Sequence, residues 1–148
     1  MRLTFATALA LLATAGCDRA PPQPRVEVEG AYVQLPAVPG RPGAAYFTLK
    51  SNNDPTKLVS VTSPKIWRIE FHTMAQEGGI SRMRPLQDTT FQEKKLTFAP
   101  GGNHAMLFDI DRTLKAGDKV PLTFTFDPAP PVTVEAEVRA FGGGHAGH

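Results

Sequence analysis

Hydrophobic and polar positions alternate with a period of two over much of this chain, in short runs. Between Lys65 and Met74, Trp67, Ile69 and Phe71 fall on one side, with Arg68, Glu70, His72 and Met74 on the other. Between Lys119 and Phe126, Val120, Leu122, Phe124 and Phe126 form one apolar side, with Thr123 and Thr125 opposite. Successive side chains of a strand point to opposite faces, so each run predicts a strand with one face on a core. Further strand-like runs occupy approximately Arg25–Gln34, Ala44–Lys50, Lys57–Ser63, Gly79–Leu86, Lys94–Phe98, His104–Asp109 and Val132–Ala140, separated by Gly, Pro, Asn and Asp. Their spacing and their Val, Phe and Thr content predict an all-β sandwich or barrel. No segment keeps a helical period over three turns. Trp67 and the inward phenylalanines are expected in the core, with no ligand role.

Both ends of the chain depart from this pattern. Residues 1–17 predict an export signal: Arg2 is followed by an apolar stretch from Leu3 to Ala13, then by small residues leading to Cys17. That stretch is too short for a membrane span, which takes about 20 residues. Ala13-Thr14-Ala15 fits ordinary signal cleavage, whereas Gly16-Cys17 resembles the end of a lipoprotein box, whose cysteine would be lipidated. The lipoprotein is favoured because the chain's single cysteine sits there. Residues 18–24 (DRAPPQP) predict an extended spacer, residues 25–141 the β domain, and residues 142–148 (GGGHAGH) a flexible tail carrying His145 and His148.

One domain with a real core is what 148 residues allow. With one cysteine there is no intramolecular disulfide, and no thiolate is left in the body for a Cys-dependent enzyme, a zinc finger or a blue-copper site. Losing residues 1–17 takes Arg2 from the 16 basic residues and leaves the 14 acidic ones, a net charge of +1. No basic block points to nucleic acid or to anionic lipid, so a membrane role is expected only through a lipid anchor at Cys17.

The remaining chemistry lies in histidine and methionine. Past the initiator there are three methionines, Met74, Met83 and Met106, and outside the tail two histidines, His72 and His104. His72-Thr73-Met74 and His104-Ala105-Met106 each place an imidazole and a thioether two residues apart, on one side of a strand. Met83 falls between the pairs, on a further strand or its turn. Alone, each of the five reads as core filler or a structural residue. Together they read as a site, because alternation puts His72 and Met74 opposite the apolar face. Thioethers are soft, neutral ligands that suit Cu(I) and hardly bind hard cations. Zinc would ordinarily take Cys, His or carboxylate, and calcium or magnesium an oxygen cage. Met74 is the weakest member, an accessory ligand at most. No nucleophile–base pair or carboxylate pair stands out, so no enzyme is expected.

The stretches Ile69–Met74, Met83-Arg84-Pro85 and Ala99–Leu107 resemble the PCuAC family of periplasmic copper chaperones, as do Ala44–Leu49 and Leu58–Val61. The family signature is a histidine, ten residues, a methionine, about twenty-one residues, then His-x-Met. Here ten residues separate His72 from Met83, and twenty separate Met83 from His104, the shortening being placed between Leu86 and Lys94. The resemblance covers most of residues 28–140. It implies a monomeric cupredoxin-like Greek-key β-barrel with an exposed Cu(I) site at His72, Met83, His104 and Met106. It further implies copper-donor or copper-acceptor partners, such as cytochrome c oxidase subunits (CuA and CuB centres) or other assembly chaperones. Some members take up Cu(II) on a His- or Met-rich extension, a role open to His145 and His148. The alternatives are a copper-storage or resistance protein using the same site, and a metal-free β-sandwich for adhesion or assembly. An electron-transfer cupredoxin fails for want of a thiolate.

Overall fold

The structure is a computed structural model describing residues 25–52, 55–92 and 95–142. The predicted signal, spacer and Cys17, and the tail histidines His145 and His148, lie outside the described residues. Ten strands follow in chain order: β1 (Val26–Gln34), β2 (Gly43–Ser51), β3 (Thr56–Thr62), β4 (Ile66–Glu77), β5 (Ile80–Pro85), β6 (Thr90–Phe91), β7 (Leu96–Phe98), β8 (His104–Ile110), β9 (Lys119–Asp127) and β10 (Val132–Arg139). No helix occurs among the described residues, so none is long and apolar enough to cross a membrane.

The strands pair in the order β5-β4-β8-β2-β1-β10-β9-β3-β6, with β7 joining β2 beyond the end of β8. All neighbours are antiparallel except β1 and β10, which run parallel. The path folds over on itself as an open sandwich, and the period of two decides what each strand puts inside. Val120, Leu122, Phe124 and Phe126 of β9 are all buried, as are Ala45, Phe47 and Leu49 of β2. The Phe47 ring stacks on Phe98 at 4.4 Å and meets the edge of Phe124 at 4.8 Å, joining the two halves. Each such ring withdrawn from water contributes about 1.5–3 kcal/mol. Gly43 lets β2 pass close to its neighbours: a Cβ there would meet the Gln34 carbonyl and Ile110 Cδ1, each at 2.7 Å.

Three sequence expectations change. Trp67 is 85% exposed, not in the core. Its neighbours in β4 pair as Ile66–Ile110 and Arg68–Phe108, so Trp67 faces Asp109, the one described non-glycine residue with positive φ (53°). The left-handed kink at Asp109 ends the regular packing there, and Ile66, not Trp67, turns inward. Second, the segment between Leu86 and Lys94, where no strand is predicted, carries one. Thr90–Phe91 forms the two-residue β6 on β3, Phe91 is buried, and the buried Thr89 hydroxyl donates to the Leu58 carbonyl at 2.6 Å. Third, β4 runs on to Glu77, three residues past the predicted end at Met74.

Candidate metal centre

A tight hairpin aligns the first part of the site. Glu77 pairs with Ile80, leaving Gly78 and Gly79 as a two-residue loop with φ of 57° and 79°. Positive φ at both central residues is the type I′ geometry whose twist matches the flanking strands, and glycine adopts it without strain. That turn sets the register, and three pairs further along Met74 stands directly opposite Met83, with His72 opposite Pro85. On the other side of β4, the ladder to β8 places His72 opposite His104 and Glu70 opposite Met106. Directly paired residues of antiparallel strands point to the same face. Glu70, His72, Met74, Met83, His104 and Met106 therefore share one face, opposite Ile69, Phe71, Ala105 and Leu107, which pack on or in the core.

The two imidazoles form the centre of this array. Their ring centroids are 6.0 Å apart with planes inclined by 26°. His104 Nδ1 contacts the Gly102 carbonyl at 3.0 Å, and His72 Nε2 contacts Glu70 Oε2 at 3.2 Å. The thioethers flank this row: Met74 and Met83 lie on one side, Met106 on the other. Bringing both sides to one ion draws on the length and flexibility of the methionine side chain and on sheet twist. The His72 side chain is only 16% exposed, whereas Met83, on the sheet's outermost strand, is 50% exposed. Beyond Met106 the face passes to Ala44 of β2 and then to Tyr46, whose phenol is pushed up by burial and by nearby Tyr32.

The donor chemistry fits a soft ion. Among the described residues no group of three or more His, Cys, Asp or Glu could hold a metal, so oxygen-rich and thiolate sites are absent there. What the face offers is two imidazoles and three uncharged thioethers, a set suited to a soft ion such as Cu(I). The nearest carboxylate, Glu70, is engaged by Arg68 Nη1 at 2.6 Å. Four of the expected ligands (His72, Met83, His104, Met106) and the accessory Met74 thus fall on one face. Sequence reading assigned no role to Glu70, although its position two residues before His72 already placed it on that face.

This architecture matches solved structures closely enough to define its class. The copper-bound PCuAC domain from PmoF2 is 27% identical, with a TM-score of 0.62, and the match covers 78% of this chain and 92% of that one. The Cu(I) form of DR1885 from Deinococcus radiodurans is 30% identical, with a TM-score of 0.61, over 74% and 75% of the two chains. The fold is thus that of PCuAC domains, all-β and cupredoxin-like. The chain belongs to the LpqE-like family, whose model matches residues 26–138. Over 87 residues it is also 36% identical to protein RP573 of Rickettsia prowazekii (strain Madrid E). That match covers 57% of this chain and 48% of the other, so the chain spans about half the length of this relative.

Proposed function

We propose that this protein is an exported copper carrier that takes Cu(I) as its cargo through His72, Met83, His104 and Met106, with Met74 as an accessory donor. One observation carries the reading: the ladders β5-β4-β8 put two imidazoles and three thioethers on a single face, with the imidazoles as direct neighbours. The copper-bound state of the PmoF2 domain and of DR1885 supports it.

His72 and His104 supply nitrogen donors that raise affinity, while the methionines favour the reduced ion without adding charge. The half-exposed Met83 gives an exchange route, because an incoming donor can reach the ion as that thioether leaves. Transfer of this kind needs no catalytic group, and the protein acts on the ion's location and not on its chemistry. The recipient that fits is an assembling copper enzyme outside the cytoplasm, cytochrome c oxidase with its CuA and CuB centres being the one the family resemblance implies. Placement in the periplasm, by lipid attachment at Cys17 or as a soluble form, accords with the lipoprotein name of the family. His145 and His148 would add a Cu(II) site on the tail.

The deciding experiment is competition of wild type and the M83A/M106A variant against a Cu(I) chelator. Wild type should retain the ion and the variant should lose tight binding, about 100-fold or more, with its β-sheet circular dichroism unchanged. Equal affinities would sink the assignment. A deletion strain then separates delivery from storage: lost oxidase activity at low copper marks delivery, and copper sensitivity marks resistance.

A further inference from the structure

Three alternate residues of β4, Arg68, Glu70 and His72, belong to one connected chain. The Arg68 guanidinium lies 4.1 Å from the ring centroid of Phe108, its cross-strand partner. Arg68 Nη1 donates to Glu70 Oε1 at 2.6 Å, and the other carboxylate oxygen, Oε2, meets His72 Nε2 at 3.2 Å. The three side chains become less exposed in that order: 55% for Arg68, 39% for Glu70 and 16% for His72.

We propose that Glu70 is the positioning residue of this site, holding His72 by Nε2 so that His72 and His104 present opposite ring nitrogens to the cargo. An ionised carboxylate only accepts hydrogen bonds, so the nitrogen facing it must carry the proton. His72 is thereby the Nε2–H tautomer, with its lone pair on Nδ1. At His104 the acceptor is the Gly102 carbonyl and the nitrogen facing it is Nδ1, so the lone pair is on Nε2. Metal-binding histidines ordinarily have the second nitrogen held by a carboxylate or a backbone carbonyl, which sets the tautomer and the ring orientation. Both devices are present here, applied to opposite nitrogens of neighbouring rings. Arg68 and Phe108 keep the carboxylate from turning away: Arg68 holds Oε1, which leaves Oε2 aimed along the strand. The backbone carbonyl at Gly102 is fixed by its turn, where the Gly102 amide donates to the Ala99 carbonyl at 3.0 Å. His104 therefore serves as an internal control that a change at Glu70 should leave alone.

The inference deepens the copper reading, but its first readout does not depend on metal. Long-range proton–nitrogen NMR spectra of the metal-free chain at pH 8.5 report which nitrogen of each imidazole carries the proton. Wild type should show Nε2–H at His72 and Nδ1–H at His104, and E70A should turn His72 into a tautomer mixture with His104 unchanged. A bare Nε2 on His72 in wild type overturns the proposal with no variant needed. An unchanged His72 in a folded E70A does the same, leaving Glu70 a mere ion-pair partner of Arg68. Competition for Cu(I) provides the second readout, in which E70A should bind about 10- to 100-fold more weakly. A crystal structure of the wild-type Cu(I) form with a Glu70 carboxylate oxygen bound to the ion would make Glu70 a ligand and remove it from the positioning role. If wild type binds no Cu(I), the carrier function fails, while the tautomer result still decides whether Glu70 positions His72.

Discussion

His72 and His104 are direct cross-strand partners, although 31 residues separate them in the chain, and their rings lie 6.0 Å apart. Nothing local joins them; the β4–β8 ladder alone does. Because each imidazole supplies one nitrogen to the same proposed ion, removing either should be severe. His72→Ala and His104→Ala are each expected to weaken Cu(I) binding by more than about 100-fold, since changes outside the ligand set already cost 10–100-fold. Chelator competition measures this, and a variant within about threefold of wild type would exclude that histidine from the site.

Met74 and Met83 occupy the same row of the ladder, so Met74 is no farther along the sheet from the histidines than Met83 is. One thioether of the row can then stand in for the other. Met74→Ala and Met83→Ala alone should retain measurable Cu(I) binding, and M74A/M83A should lose more than the two single effects combined. Neighbouring residues show such coupling, whereas independent sites add. Strict additivity in the double-mutant cycle would show that Met74 does not stand in for Met83, and a null effect of Met74→Ala in both backgrounds would show that it takes no part.

The core boundary is testable at two aromatic residues. Phe124 is fully buried and meets Phe47 edge-on, so Phe124→Ala should cost about 3–5 kcal/mol of stability in denaturant unfolding. Trp67→Ala should fall within about 0.5 kcal/mol of wild type, because the exposed ring gives up little packing when removed. A large loss at Trp67 would mean that something covers it in the folded protein.

Acid should act on the ion pair at the far end of β4. Hydrogen bonding from Lys65, then from Thr113, holds the Asp111 carboxyl well below the usual carboxylate range. A carboxyl depressed in the folded state contributes stability above its unfolded pKa of about 3.9, and that contribution fades as pH falls through the lower folded value. Wild type should therefore exceed Asp111→Asn in thermal stability by a constant margin from pH 7 to about pH 5, narrowing only below pH 4. The pair is partly exposed, so the margin is small and shrinks with added salt.

Much of this was readable from the residues, for identifiable reasons. The alternation in β9 marked Val120, Leu122 and Phe124 as inward, and all are buried, because a two-sided strand admits no other solution. The same alternation misplaced Trp67, because it assumes one unbroken period along β4, whereas the inward side passes to Ile66 beside the left-handed kink at Asp109. Gly78-Gly79 is a turn signal that aligns Met74 with Met83, a local inference open to anyone counting from the loop. The pairing of His72 with His104 is different in kind, since the register of non-consecutive strands depends on the whole sheet. β6 was invisible because two residues show no period. Glu70 was placed on its face but not given a partner, as which oxygen meets which nitrogen is a matter of side-chain geometry.

β5 ends the strand order, so of the three strands that bear the proposed ligands it is the one with a single neighbour. Its residues are all exposed, and the core rests on other strands. Fraying from such a margin costs a few hydrogen bonds and spares the packed interior. The donor array thus has one side built off the core: Met83 stands on β5, and the histidines stand on β4 and β8, whose opposite face packs on the core. Loosening β5 would then withdraw the proposed Met83 donor without unpacking the interior, so substitutions there are a way to change the hold on an ion at little cost to the fold.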